Sequence, residues 1–325
     1  MPTEDPACVK VFHPPAWVRP TAVQTVLASL RLRARGTKTV LGGSRRQVLH
    51  VAGGVRLLAV HTPHPSPRAR AILLHGWEGS SDSTYIRTTA RTLYQAGCDV
   101  FRLNLRDHGP SHHLNEGIFL AVYLDEAVEA ATQAAAQTPE LPVFLCGFSL
   151  GGNFALRIAA RWSDAPPVNL RRVVAVSPAI DPIHATERID RHPLLLWYFR
   201  RKWRRSLLRK QQLFPSRYDF SNLSPRLNLM QMTERLIPRY SRYPDALTYL
   251  AAYAVNRDVY TRIRVPATVI TAEDDPVIAV QDLLSLPNNP AVERIIHRFG
   301  GHNGFIEGDI KSTWYEKWLV RHLCG

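Results

Sequence analysis

Apolar residues along this chain fall into two recurrent spacings. Short runs such as RAILLHG, CDVFRLNL, PVFLCGF, RRVVAVSP, PATVITA and VERIIHRF are nearly continuous and rich in Val, Ile, Leu and Phe. Runs of this length and composition predict strands buried on both faces. Between most of them, apolar residues recur at three- and four-residue steps over 83–96, 117–137, 150–162, 277–286 and 310–322, which predicts amphipathic helices. Strand, glycine-bearing turn and helix in alternation give an α/β fold: a mostly parallel central sheet with helices on both faces. Ahead of it, TAVQTVLASLRLR (21–33) has helical spacing within a Pro-rich arm. QVLHVAGGVRLLAVHTP reads as two strands joined at Gly53-Gly54.

The alternation is interrupted once. Residues 181–262 contain no convincing strand, are rich in Arg, Trp, Tyr and Leu, and carry helical spacing. They are expected to form a helical cap inserted into a core made of residues 1–180, with the N-terminal arm, and 263–325. Within LLLWYFRRKWRRSLLRK, Leu195, Phe199, Trp203 and Leu207 recur every four residues, while arginines and lysines occupy most of the remaining surface. Two readings stand side by side. The stripe is buried on the core with a solvated basic back, or the helix docks on anionic lipid through the region of Trp203.

Composition narrows the class. A chain of 325 residues with 45% hydrophobic and 21% charged residues is an ordinary globular protein, neither disordered nor fibrous. The net charge of +14 is unusual and invites a negatively charged partner. Nucleic acid is not expected, because no groove-reading motif or platform of stacking aromatics is present. Cys8, Cys98, Cys146 and Cys324 have no metal-ligand spacing, and reduced thiols are the expectation. The acidic, Pro-rich start MPTEDPACVKVFHPP lacks the pattern of a signal peptide, and no apolar run approaches 18 residues. A cytoplasmic location follows as the expectation, with peripheral contact at an anionic inner membrane surface left open.

Chemistry is suggested by LCGFSLGGNFAL (145–156). Gly147-Phe148-Ser149-Leu150-Gly151 fits G-x-S-x-G between a buried strand and a helix, the setting in which a serine is held on a tight turn as a nucleophile. The serine needs a base, a group to orient it and donors to an oxyanion. RFGGHNGF supplies His302 in a loop after the last strand, and TAEDDPVI supplies Asp274 and Asp275 after the preceding one. Asp275 is preferred, with Asp274 as the alternative. LLHGWEGS makes the backbone N–H of Trp77 a candidate oxyanion donor together with that of Leu150, and His75 is expected to brace this loop. The cluster His108, His112, His113 and Glu116 in RDHGPSHHLNEG raises metal ligation. Its Gly- and Pro-bearing loop lacks ligand spacing, so it is expected to shape the pocket rim and anchor neighbouring loops through Arg106 and Asp107. No metal or cofactor is expected.

With these motifs in hand the sequence resembles the α/β-hydrolase superfamily and, more narrowly, the YheT-like esterase branch. The resemblance rests on Gln24-Thr25, LHGWEGSSDSTYIR, NLRDHGPSHHLNEGIF, GFSLGGN, AEDDPVI and GGHNGF in this order, and it matches least in the middle of the cap. It implies hydrolysis of carboxylic esters, with short-chain esters and monoacylglycerols as substrates of the branch. Ser149, His302 and Asp275 would carry an acyl-enzyme mechanism. Thioesterase, amidase and acyltransferase chemistry share that intermediate. A non-catalytic protein binding an anionic partner through its basic cap is the alternative from another class.

Overall fold

A computed structural model describes residues 12–323. Eight strands form one sheet in the order β1-β2-β4-β3-β5-β6-β7-β8: β1 Arg45–Val51, β2 Val55–Thr62, β3 Ala69–Leu74, β4 Cys98–Leu103, β5 Val143–Phe148, β6 Leu170–Val176, β7 Ala267–Ala272 and β8 Val292–His297. The hairpin β1–β2 and the pair β2–β4 are antiparallel, and every other pairing is parallel. All six residues are buried in each of β3, β4, β5 and β7, as their continuous apolar runs predict.

The first helices are α1 Thr21–Ala28, α2 Thr37–Val40, α3 Thr84–Gln95, α4 Leu124–Ala136 and α5 Leu150–Trp162. Successive strand residues face opposite sides of the sheet. Ile72 and Leu74 therefore pack with α4 and α5 on one face, while Ala71 and Leu73 pack on the other with α3 and the C-terminal helix. Between β6 and β7 the chain forms only helices: α6 Pro182–Arg191, α7 Pro193–Leu213, α8 Leu229–Tyr240, α9 Ala246–Ala251 and α10 Arg257–Thr261. The last two helices are α11 Val280–Leu284 and α12 Trp314–Leu323.

From β3 the sheet grows to β4 on one side and β5 on the other. Such a reversal of strand order leaves a crevice beyond the carboxyl ends of the strands. Leu74 is in register with Gly147, so the loop after β3 and the turn after β5 emerge side by side.

Three predicted helices are shorter than their spacing suggests. The arm helix ends at Ala28, whose carbonyl accepts from Arg33 Nη1. Residues 117–123 stay irregular because the Phe119 amide donates to Asp107 and the Ala121 amide to the Tyr249 hydroxyl. The predicted helix over 277–286 contracts to α11 because the Val277 and Ile278 amides donate to the Asp275 carboxylate. Cys146 is a free buried thiol. Cys98 is disulfide-bonded, which departs from the expectation of reduced cysteines. Cys8, Cys324 and the start of the N-terminal arm lie outside the described residues. No helix among the described residues is long and apolar enough to cross a membrane.

Candidate active site

Ser149 sits at the junction of β5 and α5 with φ 55° and ψ −117°, a left-handed backbone that a side chain rarely adopts. The turn is tight because α5 folds straight back against the ends of β3 and β5. A Cβ on Gly147 would lie 2.0 Å from the Gly151 carbonyl oxygen, and one on Gly151 would lie 2.4 Å from that of Leu74. Only glycine fits at either position, which is the physical content of the G-x-S-x-G pattern here. The Ser149 amide donates to the Val176 carbonyl at 2.9 Å, fixing the turn to β6.

The His302 ring reaches Ser149 from the loop after β8, with Nε2 3.0 Å from Ser149 Oγ. Its Nδ1 lies 2.9 Å from Asp275 Oδ2 and 3.1 Å from Oδ1. Asp275 is only 1% exposed, and its Oδ1 also accepts the amides of Val277 and Ile278 at 2.8 and 2.9 Å. Both oxygens of the Asp275 carboxylate face Nδ1, so in the neutral ring Nδ1 carries the proton and Nε2 is left to accept. Asp274 is directed elsewhere: its carboxylate accepts from the Thr21 hydroxyl and the Gly301 amide, both at 2.9 Å.

Trp77 and Leu150 line the same cavity as Ser149. Leu150 opens α5, where helix N–H groups lack internal partners. Trp77 follows Gly76, whose backbone is so near the serine that a Cβ on it would lie 3.1 Å from Ser149 Cβ. His75 is fully buried; its Nδ1 donates to the Gly76 carbonyl at 2.8 Å and its Nε2 accepts the Leu105 amide at 3.2 Å. Burial pushes its pKa down to about 4, so it holds the loop as a neutral ring. Beside it, burial raises the Glu78 carboxyl to about 8, opposed by Lys202 and reinforced by Asp107.

The cavity over Ser149 has a volume of about 110 Å³ and an apolar lining. Phe199, Trp203 and Leu207 of α7 form part of its wall. Trp203 meets the Trp77 ring edge-on at 5.1 Å, and Phe199 stacks on it at 5.6 Å. The stripe of α7 therefore faces the serine, and Trp203 is not on the outer surface where lipid docking through it would require it.

The histidine-bearing loop ties α7 down. Asp107 and Lys210 form a buried ion pair at 2.8 Å, and Lys210 also donates to the carbonyls of His112 and Asn115. His112 Nε2 bonds Ser206 of α7 at 2.8 Å, His108 Nδ1 donates to the Arg106 carbonyl, and Arg106 pairs with Glu126.

Sequence reasoning missed the role of the arm. The Gln24 side chain is fully buried; it donates to the Ile306 carbonyl at 3.1 Å and accepts the Ile306 amide at 2.8 Å. Thr25 Oγ1 accepts the His302 amide at 3.0 Å. With Thr21 on Asp274, three residues of α1 thus hold the loop that carries His302. The only signal in the sequence was the presence of Gln24-Thr25 in the motif set of the resemblance.

A serine on a strained strand-to-helix turn, with a histidine and an aspartate from later strand ends of a mostly parallel sheet, defines an α/β-hydrolase. The family model described as serine aminopeptidase, S33 matches residues 65–289, and the chain belongs to this family. It is similar to YheT of Escherichia coli (strain K12), provisionally named an esterase: 23% identical over 269 residues, covering 79% of this chain and 78% of that one. It is also similar to the phospholipase ABHD3 of Bos taurus, 20% identical over 317 residues, covering 93% and 75%. In structure it is similar to the esterase Pf2001 of Pyrococcus furiosus, with a TM-score of 0.57 at 16% identity over 88% of this chain and 96% of that one. That likeness is one of fold.

Proposed function

We propose that this chain is a serine hydrolase of carboxylic esters, with Ser149 as nucleophile, His302 as base and Asp275 as the group that orients it. The observation carrying this reading is the unbroken hydrogen-bond relay from Ser149 Oγ through His302 to Asp275. His302 Nε2 takes the hydroxyl proton as Ser149 Oγ attacks the acyl carbon. The amides of Trp77 and Leu150 hold the resulting oxyanion. The intermediate collapses, the C–O bond breaks, and the alkoxide leaves as an alcohol with the proton from His302. Water, deprotonated by the same nitrogen, attacks the acyl-enzyme and releases the acid, restoring Ser149.

Residues 181–262 act in this reading as a cap that closes the acyl pocket. Drug-sized ligands occupy pockets of about 300–1,000 Å³. The much smaller, apolar cavity over Ser149 favours a short acyl chain, at the lower end of short- to medium-chain and monoacylglycerol-like esters. The family description raises an aminopeptidase reading. Among the described residues, however, the cavity lining has no carboxylate to pair with a peptide α-ammonium group. The test is a series of p-nitrophenyl esters from acetate to dodecanoate, run with wild type and Ser149→Ala, beside a matched thioester and an anilide. Highest kcat/KM on a short ester, lost in Ser149→Ala, is the expected result. Preference for the anilide, or an esterase activity that survives Ser149→Ala, would overturn the proposal.

A further inference from the structure

Helix α7 carries apolar side chains on two opposite faces, and only one of them serves the cavity. On the outer face Leu194, Trp197 and Leu208 are 72%, 53% and 43% exposed. With Tyr198 and Leu213, this single helix holds five of the twelve large apolar or aromatic side chains that are exposed among the described residues. Residues 194, 197, 201, 205 and 208 recur at three- and four-residue steps, so Arg201 and Arg205 share that face, with Arg209 at its edge. The 21 residues of α7 include no acid. Among the described residues, Arg201, Arg205 and Arg209 make no ion pair with a carboxylate. The Arg201 guanidinium stands over the Trp197 ring at 5.6 Å. Trp197, Arg201, Arg205, Leu208 and Arg209 line a shallow open groove of about 680 Å³.

Unpaired arginines would by themselves attract any polyanion. Their interleaving with exposed Leu and Trp side chains is the chemistry of an interfacial helix: cations for lipid phosphates, and an indole that sits at headgroup depth. We propose that the outer face of α7 docks on the surface of an anionic lipid bilayer, with Trp197 as its inserted aromatic residue. The inner face of the same helix walls the Ser149 cavity through Phe199, Trp203 and Leu207. Docking therefore lays the bilayer against the element that covers the site, which suits an ester drawn from lipid. The docking itself does not rest on the esterase reading.

The test is cosedimentation with vesicles of phosphatidylcholine alone and of phosphatidylcholine with phosphatidylglycerol, at low and high salt. Ser149→Ala protein is measured in parallel, so that failure of the docking and failure of the chemistry are read separately. Each basic residue at an anionic surface strengthens binding roughly fivefold at low salt, so Arg201→Ala/Arg205→Ala/Arg209→Ala weakens it roughly 100-fold. Trp197→Ala weakens it several-fold and removes quenching of indole fluorescence by brominated lipid. Because all four side chains are on the surface, kcat/KM on a water-soluble ester stays at the wild-type value in both variants. Equal binding to neutral and anionic vesicles, or no binding to either, would overturn the proposal. So would a triple variant that sediments like wild type, or anionic binding that duplex DNA competes away while Trp197→Ala leaves it intact.

Discussion

Asp275→Asn isolates what the buried carboxylate does, because the structure dictates how the new amide must sit. The amides of Val277 and Ile278 both donate to Asp275 Oδ1, at 2.8 and 2.9 Å. In the variant these two fixed donors hold the amide oxygen in that position, which leaves the NH₂ group at the place of Oδ2. There it faces His302 Nδ1, 2.9 Å away in the parent. An NH₂ group can only donate, so Nδ1 must accept and the ring proton moves to Nε2. Nε2 is the nitrogen 3.0 Å from Ser149 Oγ, and once protonated it cannot take the serine proton. The side chain is 1% exposed, so no water is at hand to restore the tautomer. The expected loss in kcat is about 10⁴-fold, equal to about 5.4 kcal/mol of transition-state stabilisation. The melting temperature should change little, since Asn is isosteric and keeps both backbone bonds. Asp274→Asn is the control: it weakens one of the two hydrogen bonds that Asp274 accepts, from Thr21 of α1 and from Gly301 in the loop of His302, worth at most about tenfold. Steady-state hydrolysis of a short p-nitrophenyl ester by both variants, with thermal melts, provides the assay. An Asp275→Asn enzyme within tenfold of wild type, or an Asp274→Asn enzyme more damaged than it, would refute this reasoning.

Three further perturbations test the surroundings. Folded Glu78 retains its proton up to about pH 8 whereas the unfolded chain releases it near 4.5, so this group costs stability as pH rises across that interval. Glu78→Gln removes the cost, and its melting temperature should gain on wild type between pH 5 and 8 by something on the order of 2 °C or more; a difference independent of pH would contradict the assignment. Lys210→Met leaves Asp107 buried without its cation and should destabilise by about 3–5 kcal/mol in urea, with Asp107→Asn/Lys210→Met recovering most of the loss. An Asp107→Asn/Lys210→Met protein no more stable than Lys210→Met would contradict the pairing. Trp203→Ala opens the wall beside Trp77, and room for two more methylenes at about 0.8 kcal/mol each should raise the octanoate-to-butyrate ratio of kcat/KM roughly tenfold. An unchanged ratio would place the acyl chain elsewhere.

The parts of the fold that were legible in the sequence are those governed by local rules. Strands buried on both faces read as continuous apolar runs, and α5 begins and ends where the spacing after Ser149 predicts. The order of Ser149, Asp275 and His302 at successive strand ends was enough to pick out the residues that the structure brings together. What was not legible depends on partners distant in sequence. Residues 117–123 have helical spacing, yet their amides are taken by Asp107 and Tyr249. Gln24 and Thr25 are ordinary polar residues of a short helix until the chain returns, some 280 residues later, to lay Ile306 and His302 against them. Spacing along α7 separates the face of Trp203 from that of Trp197, but only the packing of the helix shows that Trp203 is the one turned toward Ser149.

The central claim is that Ser149 is a nucleophile activated by His302. The most direct measurement is reaction with a fluorophosphonate, in which the serine oxygen displaces fluoride at phosphorus, followed by peptide mass spectrometry. One adduct on the peptide containing Ser149, absent in Ser149→Ala and formed far more slowly in His302→Ala, is the predicted result. No adduct on the folded protein, or an adduct that persists in Ser149→Ala, would contradict the claim.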